Sequence, residues 1–376
     1  MTTIEPTRRG MLAGVFGAAL APALPFGLAA LAPSVARAEA AIADVAKSTA
    51  TLAGRTIPAR TLPVPDTVSA ALRPIVAAEP RPGWNRFPAE ADKAGWQALQ
   101  RQTGAGPHPI LAEIGTKLGV TVAPDVIAGV PVFVSTPANI PERNRGRVLM
   151  HCHGGGYVLF PGEIGAGEGM MMAGHGGFTT VSVDYRMAPD FPYPAALDDV
   201  ASVWKALAAR HDPRRMAVFG TSAGGGLTLA LMLKAKADGF PMPAAIAPGS
   251  PWVDLAPRGD SLATNEFVDN SLVSIDGWVG TAGRLYAGAT SRDDPFISPI
   301  NGDFRGLPPA ILTSGTRDLL LSDTVRAHRK LRQAGVEAAL QVFEAQSHAQ
   351  YLTPFIPETE EAFMEIAAFF DRHLAV

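Results

Sequence analysis

From Val120 onward the chain alternates short β-branched or apolar runs with stretches of helical periodicity, and no other feature restricts its fold as much. Runs at Val130–Ser135, Val148–Cys152, Thr179–Val183, Met216–Phe219, Ala244–Ala247, Ala310–Thr313 and Ala339–Phe343 read as strands. Helical spacing occupies Leu197–Arg210, Gly224–Asp238, Ser322–Ala334 and Glu358–Leu374 between and after them. Alternation of this kind predicts an α/β fold in which a mostly parallel central sheet is flanked by helices. The 376 residues are enough for a sizeable core, and with 47% hydrophobic and 18% charged residues the chain is neither disordered nor fibrous. A formal charge of −3 without a basic stripe argues against nucleic acid as a partner. Cys152 is the single cysteine, so intramolecular disulfides and multi-thiolate metal sites are excluded.

The amino-terminal region has a different character. Arg8 and Arg9 precede an apolar stretch that runs to about Ala36, and Ala36-Arg37-Ala38 offers the small residues that signal peptidase requires. Residues 1–38 therefore read as an export signal of the twin-arginine type. It implies handling by the twin-arginine machinery, a periplasmic or secreted protein beginning near Glu39, and no stable membrane association after cleavage. The run is long enough for a membrane anchor, but Pro22, Pro25 and Pro33 interrupt a spanning helix. Residues 39–119 read as an N-terminal segment and small helical cap, with helices near Thr67–Glu79, Ala89–Gln102 and Ile110–Leu118 and a Gly104-Ala105-Gly106-Pro107 break. Residues 120–376 read as one α/β domain, and there is no internal repeat.

The chemistry concentrates at two glycine-rich turns. Gly220-Thr221-Ser222-Ala223-Gly224 follows an apolar strand and opens an Ala/Leu-rich helix, the arrangement of a nucleophile elbow. There Ser222 stands at a sharp turn near a helix start, where backbone amides favour developing negative charge. The same residues also suit a plain helix entry, with Ser as cap and Gly as tight turn. His153-Gly154-Gly155-Gly156-Tyr157 follows an earlier strand, and bare glycine amides there can face an oxyanion. The expected donors are the amides of Gly154, Gly155 and Ala223. A serine needs a base that is itself oriented by a carboxylate. His348 lies in the loop after the last strand and Asp318 in the loop after the strand before it, so both reach the carboxyl edge of the sheet. Asp323, at a helix start, is the competing acid, although a cap explains it as well. His151 and His153 share a strand face but lack a third metal ligand, so no metal is expected there, and a serine mechanism with a His base and a carboxylate needs no organic cofactor. Cys152 reads as a buried hydrophobe.

With these residues in view, the chain resembles the hormone-sensitive lipase family of α/β-hydrolases, in its bacterial esterase branch. Besides the two turns, the resemblance rests on Asp184-Tyr185-Arg186-Met187-Ala188-Pro189-Asp190, on Tyr193-Pro194-Ala195-Ala196-Leu197-Asp198-Asp199 and on Asp294-Pro295-Phe296-Ile297-Ser298-Pro299. It extends over roughly residues 56–376, and residues 56–65 are similar to relatives regarded as lactone hydrolases. The sequence departs from the family pattern at Thr221, where many members carry Asp, and at Ser347-His348-Ala349-Gln350, which replaces the commoner His-Gly-Phe. The resemblance implies an α/β-hydrolase fold and a serine carboxylesterase for small, short-acyl esters. Lactonase or amidase chemistry would use the same residues, and a non-catalytic ligand-binding member of the fold is a further alternative. Tyr157, Trp84 and Trp96 are candidates for the substrate pocket, with large aromatics of the cap limiting its depth. Oligomeric state is not legible in the sequence.

Overall fold

The computed structural model describes residues 54–375, so the export signal read at residues 1–38 lies outside the described residues. Residues 54–62 are exposed and have no regular structure, and a compact unit begins at Pro63. In chain order its helices and strands are α1 (Arg73–Ala77), α2 (Lys93–Gly104), α3 (Pro109–Leu118), β1 (Val120–Ile127), β2 (Val130–Pro137), β3 (Val148–Cys152), α4 (Gly167–Gly176), β4 (Thr179–Val183), α5 (Ala195–Ala208), β5 (Met216–Thr221) and α6 (Ala223–Asp238). They continue with β6 (Ala245–Gly249), α7 (Ser261–Thr264), α8 (Trp278–Ala287), β7 (Ala310–Gly315), α9 (Leu321–Gln333), β8 (Ala338–Phe343) and α10 (Pro357–His373).

The eight strands form one sheet in the order β1-β2-β4-β3-β5-β6-β7-β8. Pairs from β4 to β8 are parallel, while β1 and β2 pair antiparallel at one edge. Alternation along β3 shows how the sheet is covered: Val148, Met150 and Cys152 face one core and Leu149 the other. The first core takes α5, α6 and α9 through residues such as Trp204, Leu227 and Leu331. The second takes α4 and α10 through Met172, Phe363 and Phe370. Both faces are therefore buried, as a parallel sheet requires.

The sequence expectations hold for the central strands and differ elsewhere for physical reasons. β1 escapes the pattern because most of its residues are exposed and it contains Pro124 and Asp125, as an edge strand tolerates. Its pairing is set by Ala128 and Gly129, whose φ values of 52° and 80° form a two-residue hairpin turn. α4 was hidden by its glycines, and α8 lacks a motif. The helix expected over Thr67–Glu79 is confined to Arg73–Ala77, where Pro74 sets its first turn. α2 begins at Lys93 rather than Ala89, because the Asp92 side chain accepts the Gly95 amide at 2.9 Å and caps it there.

The cap helices pack as part of the same unit. Val68, Leu72 and Val76 cluster with Ala345 and Ile356 beside the last strand, while Leu111 and Ile114 of α3 join the core around α4. Among the described residues no helix is long and apolar enough to cross a membrane.

Candidate active site

Ser222 joins β5 to α6 at φ 62°, ψ −121°, a conformation that a non-glycine residue adopts only under constraint. Three backbone bonds supply that constraint. The Ser222 amide donates to Gly249 O at 2.9 Å, and the Ser222 carbonyl accepts from Gly226 and Trp252, each at 3.0 Å. Gly224 is obligatory in this turn, because a Cβ there would overlap the Cys152 carbonyl. The elbow is thus wedged between β3 and β6.

Gly155, at φ 99°, gives the glycine-rich loop after β3 its shape, and a side chain there would strike Leu159 O and the Phe160 ring. None of the amides of Gly154, Gly155 and Ala223 donates to a backbone carbonyl among the described residues. His153 stabilises the loop. Its Nδ1 lies 2.7 Å from Gly154 O, and its ring stacks on Tyr185 at 4.1 Å. Burial pushes its imidazole down to about 3, so it stays neutral and is no proton shuttle near neutral pH.

Asp318 and His348 meet at the ends of β7 and β8. His348 Nδ1 lies 2.9 Å from Asp318 Oδ1, Leu320 N donates to the same oxygen at 2.8 Å, and Ser314 Oγ donates to Oδ2 at 2.8 Å. Burial alone would raise the Asp318 carboxyl, yet the charge and hydrogen bond of the adjoining imidazole, with the Leu320 amide, hold it below the usual carboxylate range. For His348, burial favours the neutral ring, but the Asp318 charge and hydrogen bond, with Asp269 adding to them, bring its pKa above the ordinary value. Asp323 stands elsewhere. Its Oδ2 accepts the amides of Val253 and Asp254, both at 3.0 Å, and burial raises its carboxyl to about 7.

A cavity of about 230 Å³ brings Ser222, His348, Gly154 and Gly155 together, with Phe160 and Trp278 among its apolar walls. A smaller one of about 140 Å³ adjoins it, shares Phe160 and Trp278, and is lined by Trp84, Phe87 and Leu99. Trp84 therefore lines the adjoining cavity. Two other expectations are corrected. Trp96 is wholly buried, donates from Nε1 to Ala89 O at 3.1 Å and packs on Phe87, so it anchors the cap and lines neither cavity. Tyr157, at φ 65°, buries its ring against Tyr286 at 3.7 Å, away from the cavity. Sequence reasoning missed Trp278, Phe160 and Glu168. Only Phe160, a few residues beyond the glycine loop, carried a local signal. Glu168 of α4 reaches the cavity wall and links Thr221 Oγ1 at 2.7 Å to His151 Nε2 at 3.1 Å. Thr221, at the end of β5 where many family members carry Asp, thus meets a carboxylate supplied by α4. Burial raises the Cys152 thiol strongly, which leaves it inert. Among the described residues there is no cluster of three His, Cys, Asp or Glu suited to a metal.

A family model described as the alpha/beta hydrolase fold matches residues 149–352, the segment that carries the glycine loop, the elbow, Asp318 and His348. The chain belongs to the alpha/beta hydrolase fold family. The hydrolase is 38% identical to a crystallised esterase, E25, with a TM-score of 0.82 over 86% of this chain and 99% of that one. A crystallised hormone-sensitive lipase from a metagenome library is 29% identical, with a TM-score of 0.65 over 76% of this chain and 93% of its own. An esterase of Acinetobacter venetianus is 30% identical over 59% of the hydrolase and 74% of its own length. An acetyl-hydrolase of Streptomyces hygroscopicus is 30% identical over 62% and 77%, respectively. The hydrolase therefore falls among relatives of the hormone-sensitive lipase type, the family its sequence resembles.

Proposed function

We propose that this hydrolase is a serine carboxylesterase for small, short-acyl esters, working through Ser222, His348 and Asp318. The observation that carries the reading is the 2.9 Å bond from the buried Asp318 Oδ1 to Nδ1 of His348, which lines the same cavity as the strained Ser222. His348 Nε2 takes the Ser222 proton as Oγ attacks the ester carbonyl, and the imidazolium then gives that proton to the departing alcohol. The tetrahedral oxygen rests against the amides of Gly154, Gly155 and Ala223. A water molecule attacks the acyl-enzyme with the same base and releases the acid. Asp318 fixes the Nδ1–H tautomer and stabilises the imidazolium.

The modest size of the catalytic cavity, about 230 Å³ with Phe160 and Trp278 among its walls, supports the short-acyl preference. Hydrolysis of p-nitrophenyl esters of increasing chain length, run beside lactones and anilides, tests it. Activity toward short esters that disappears in S222A is the expected result. Activity that survives in S222A would refute the nucleophile, and a preference for lactones or anilides would refute the substrate class. Export through the Arg8–Arg9 signal remains part of the proposal, and amino-terminal sequencing of mature protein from the periplasm or medium, expected to begin near Glu39, tests it.

A further inference from the structure

Asp269, in the loop between α7 and α8, belongs to none of the sequence motifs, and its side chain is wholly buried. Its Oδ1 accepts the amides of Ser271 at 2.7 Å and Leu272 at 2.9 Å. Its Oδ2 accepts the amide of Leu319 at 2.7 Å and that of His348 at 3.1 Å. Leu319 directly follows Asp318, His348 is the base itself, and Ser271 and Leu272 line the catalytic cavity. Donors from three separate segments therefore converge on one carboxylate.

We propose that Asp269 is a positioning residue for the Asp318–His348 pair, holding the acid loop, the base loop and this part of the cavity wall in one register. The proposal rests on the triad reading above. Only a carboxylate suits the place, since its two oxygens accept on all sides, whereas the amide of Asn would turn an NH2 group toward two N–H donors. The adjacent residue extends the clamp. The Asn270 amide donates to Ser347 Oγ at 3.1 Å, its Nδ2 donates to Ile75 O at 2.8 Å, and its Oδ1 accepts from Gln350 at 2.7 Å. Residues 269–270 thereby tie the end of α1 to the loop that carries His348.

The charge of Asp269 has a second effect. The titratable groups that face it are Asp318 and His348. Of the other charged groups on the same segments, Arg317 donates to Pro63 O and Glu266 accepts from Ser274 Oγ. A negative charge at Asp269 favours the imidazolium of His348, as does that of Asp318.

The test is D269N in the full chain, assayed on a short p-nitrophenyl ester across pH. The expected result is a kcat lower by about 10- to 100-fold with KM changed less than about threefold, because misplaced catalytic groups cost rate rather than binding. The acid limb of kcat/KM should also move to lower pH, because one negative charge no longer faces His348. A near-wild-type kcat, or a lower kcat with an unmoved acid limb, overturns the proposal. If D269N fails to fold, hydrogen exchange on the wild-type protein decides. Leu319 and His348 amides that exchange as slowly as those of β5 and β7 support the clamp, and exchange at the rate of open loops refutes it. S222A separates the two levels of inference: its loss of activity together with a wild-type-like D269N would remove the Asp269 proposal alone.

Discussion

Replacing Asp318 by Asn isolates the electrostatic part of the proposed mechanism. Oδ1 receives both the His348 Nδ1 hydrogen and the Leu320 amide at 2.8 Å, so in D318N the amide oxygen must occupy this position, because an NH2 group there would oppose two donors. The NH2 then faces Ser314 Oγ, a hydroxyl that can rotate from donating to accepting. The tautomer of His348 is therefore preserved, and what is lost is the negative charge beside the imidazolium. Unit charges about 4 Å apart at an effective dielectric constant of about 20 interact by about 4 kcal/mol. At about 1.4 kcal/mol per decade, kcat/KM should fall by about 1,000-fold. The acid limb of the profile should move to lower pH, because burial depresses the His348 pKa once the carboxylate is gone. Steady-state hydrolysis of a short p-nitrophenyl ester across pH, with thermal melting to verify folding, measures both effects. A fall of less than about tenfold, or a comparable loss in D323N, would refute the assignment of Asp318 as the triad acid.

Other outcomes follow from the same geometry. W96A should lower unfolding free energy by about 3–5 kcal/mol while leaving the acyl-length profile of the folded fraction unchanged, measured by denaturant titration beside the ester panel. W278A, in the wall shared by the two cavities, should shift that profile toward longer acyl chains, and an unchanged profile would show that this ring does not limit depth. Burial raises the Asp323 carboxyl to about 7, so the stability it contributes is fully present below its unfolded value of 3.8 and is lost as pH rises through about 7. D323N cannot titrate, so its melting temperature relative to wild type should increase between about pH 4 and pH 8, and parallel curves would contradict that shift. G224A should fail to form the elbow because its Cβ meets the Cys152 carbonyl, and an active, stable G224A would show that β3 can move aside.

The elements legible in the sequence are those whose cause is local. Buried parallel strands such as β3 and β4 are continuous apolar runs whatever surrounds them, and both were bounded correctly from sequence. The elbow is legible because a residue at φ 62° between a strand and a helix has glycines beside it, a spacing that also suits a plain helix entry and is resolved only when the second glycine-rich turn is read with it. The same reasoning drew Asp318 and His348 out of the pattern, since loops after successive strands share one edge of the sheet. Edge strand β1 was not legible because it buries too little to show a period, and its pairing depends on the turn at Ala128 and Gly129. The direction in which a buried aromatic points was equally hidden. Tyr157 and Trp96 have the composition of a pocket wall, yet stacking on Tyr286 and packing on Phe87 bury them in the core. Most of all, Asp269 and Glu168 depend on tertiary structure. A buried carboxylate is tolerated only where donors converge on it, and chain folding alone brings the distant amides of Leu319 and His348 to Asp269.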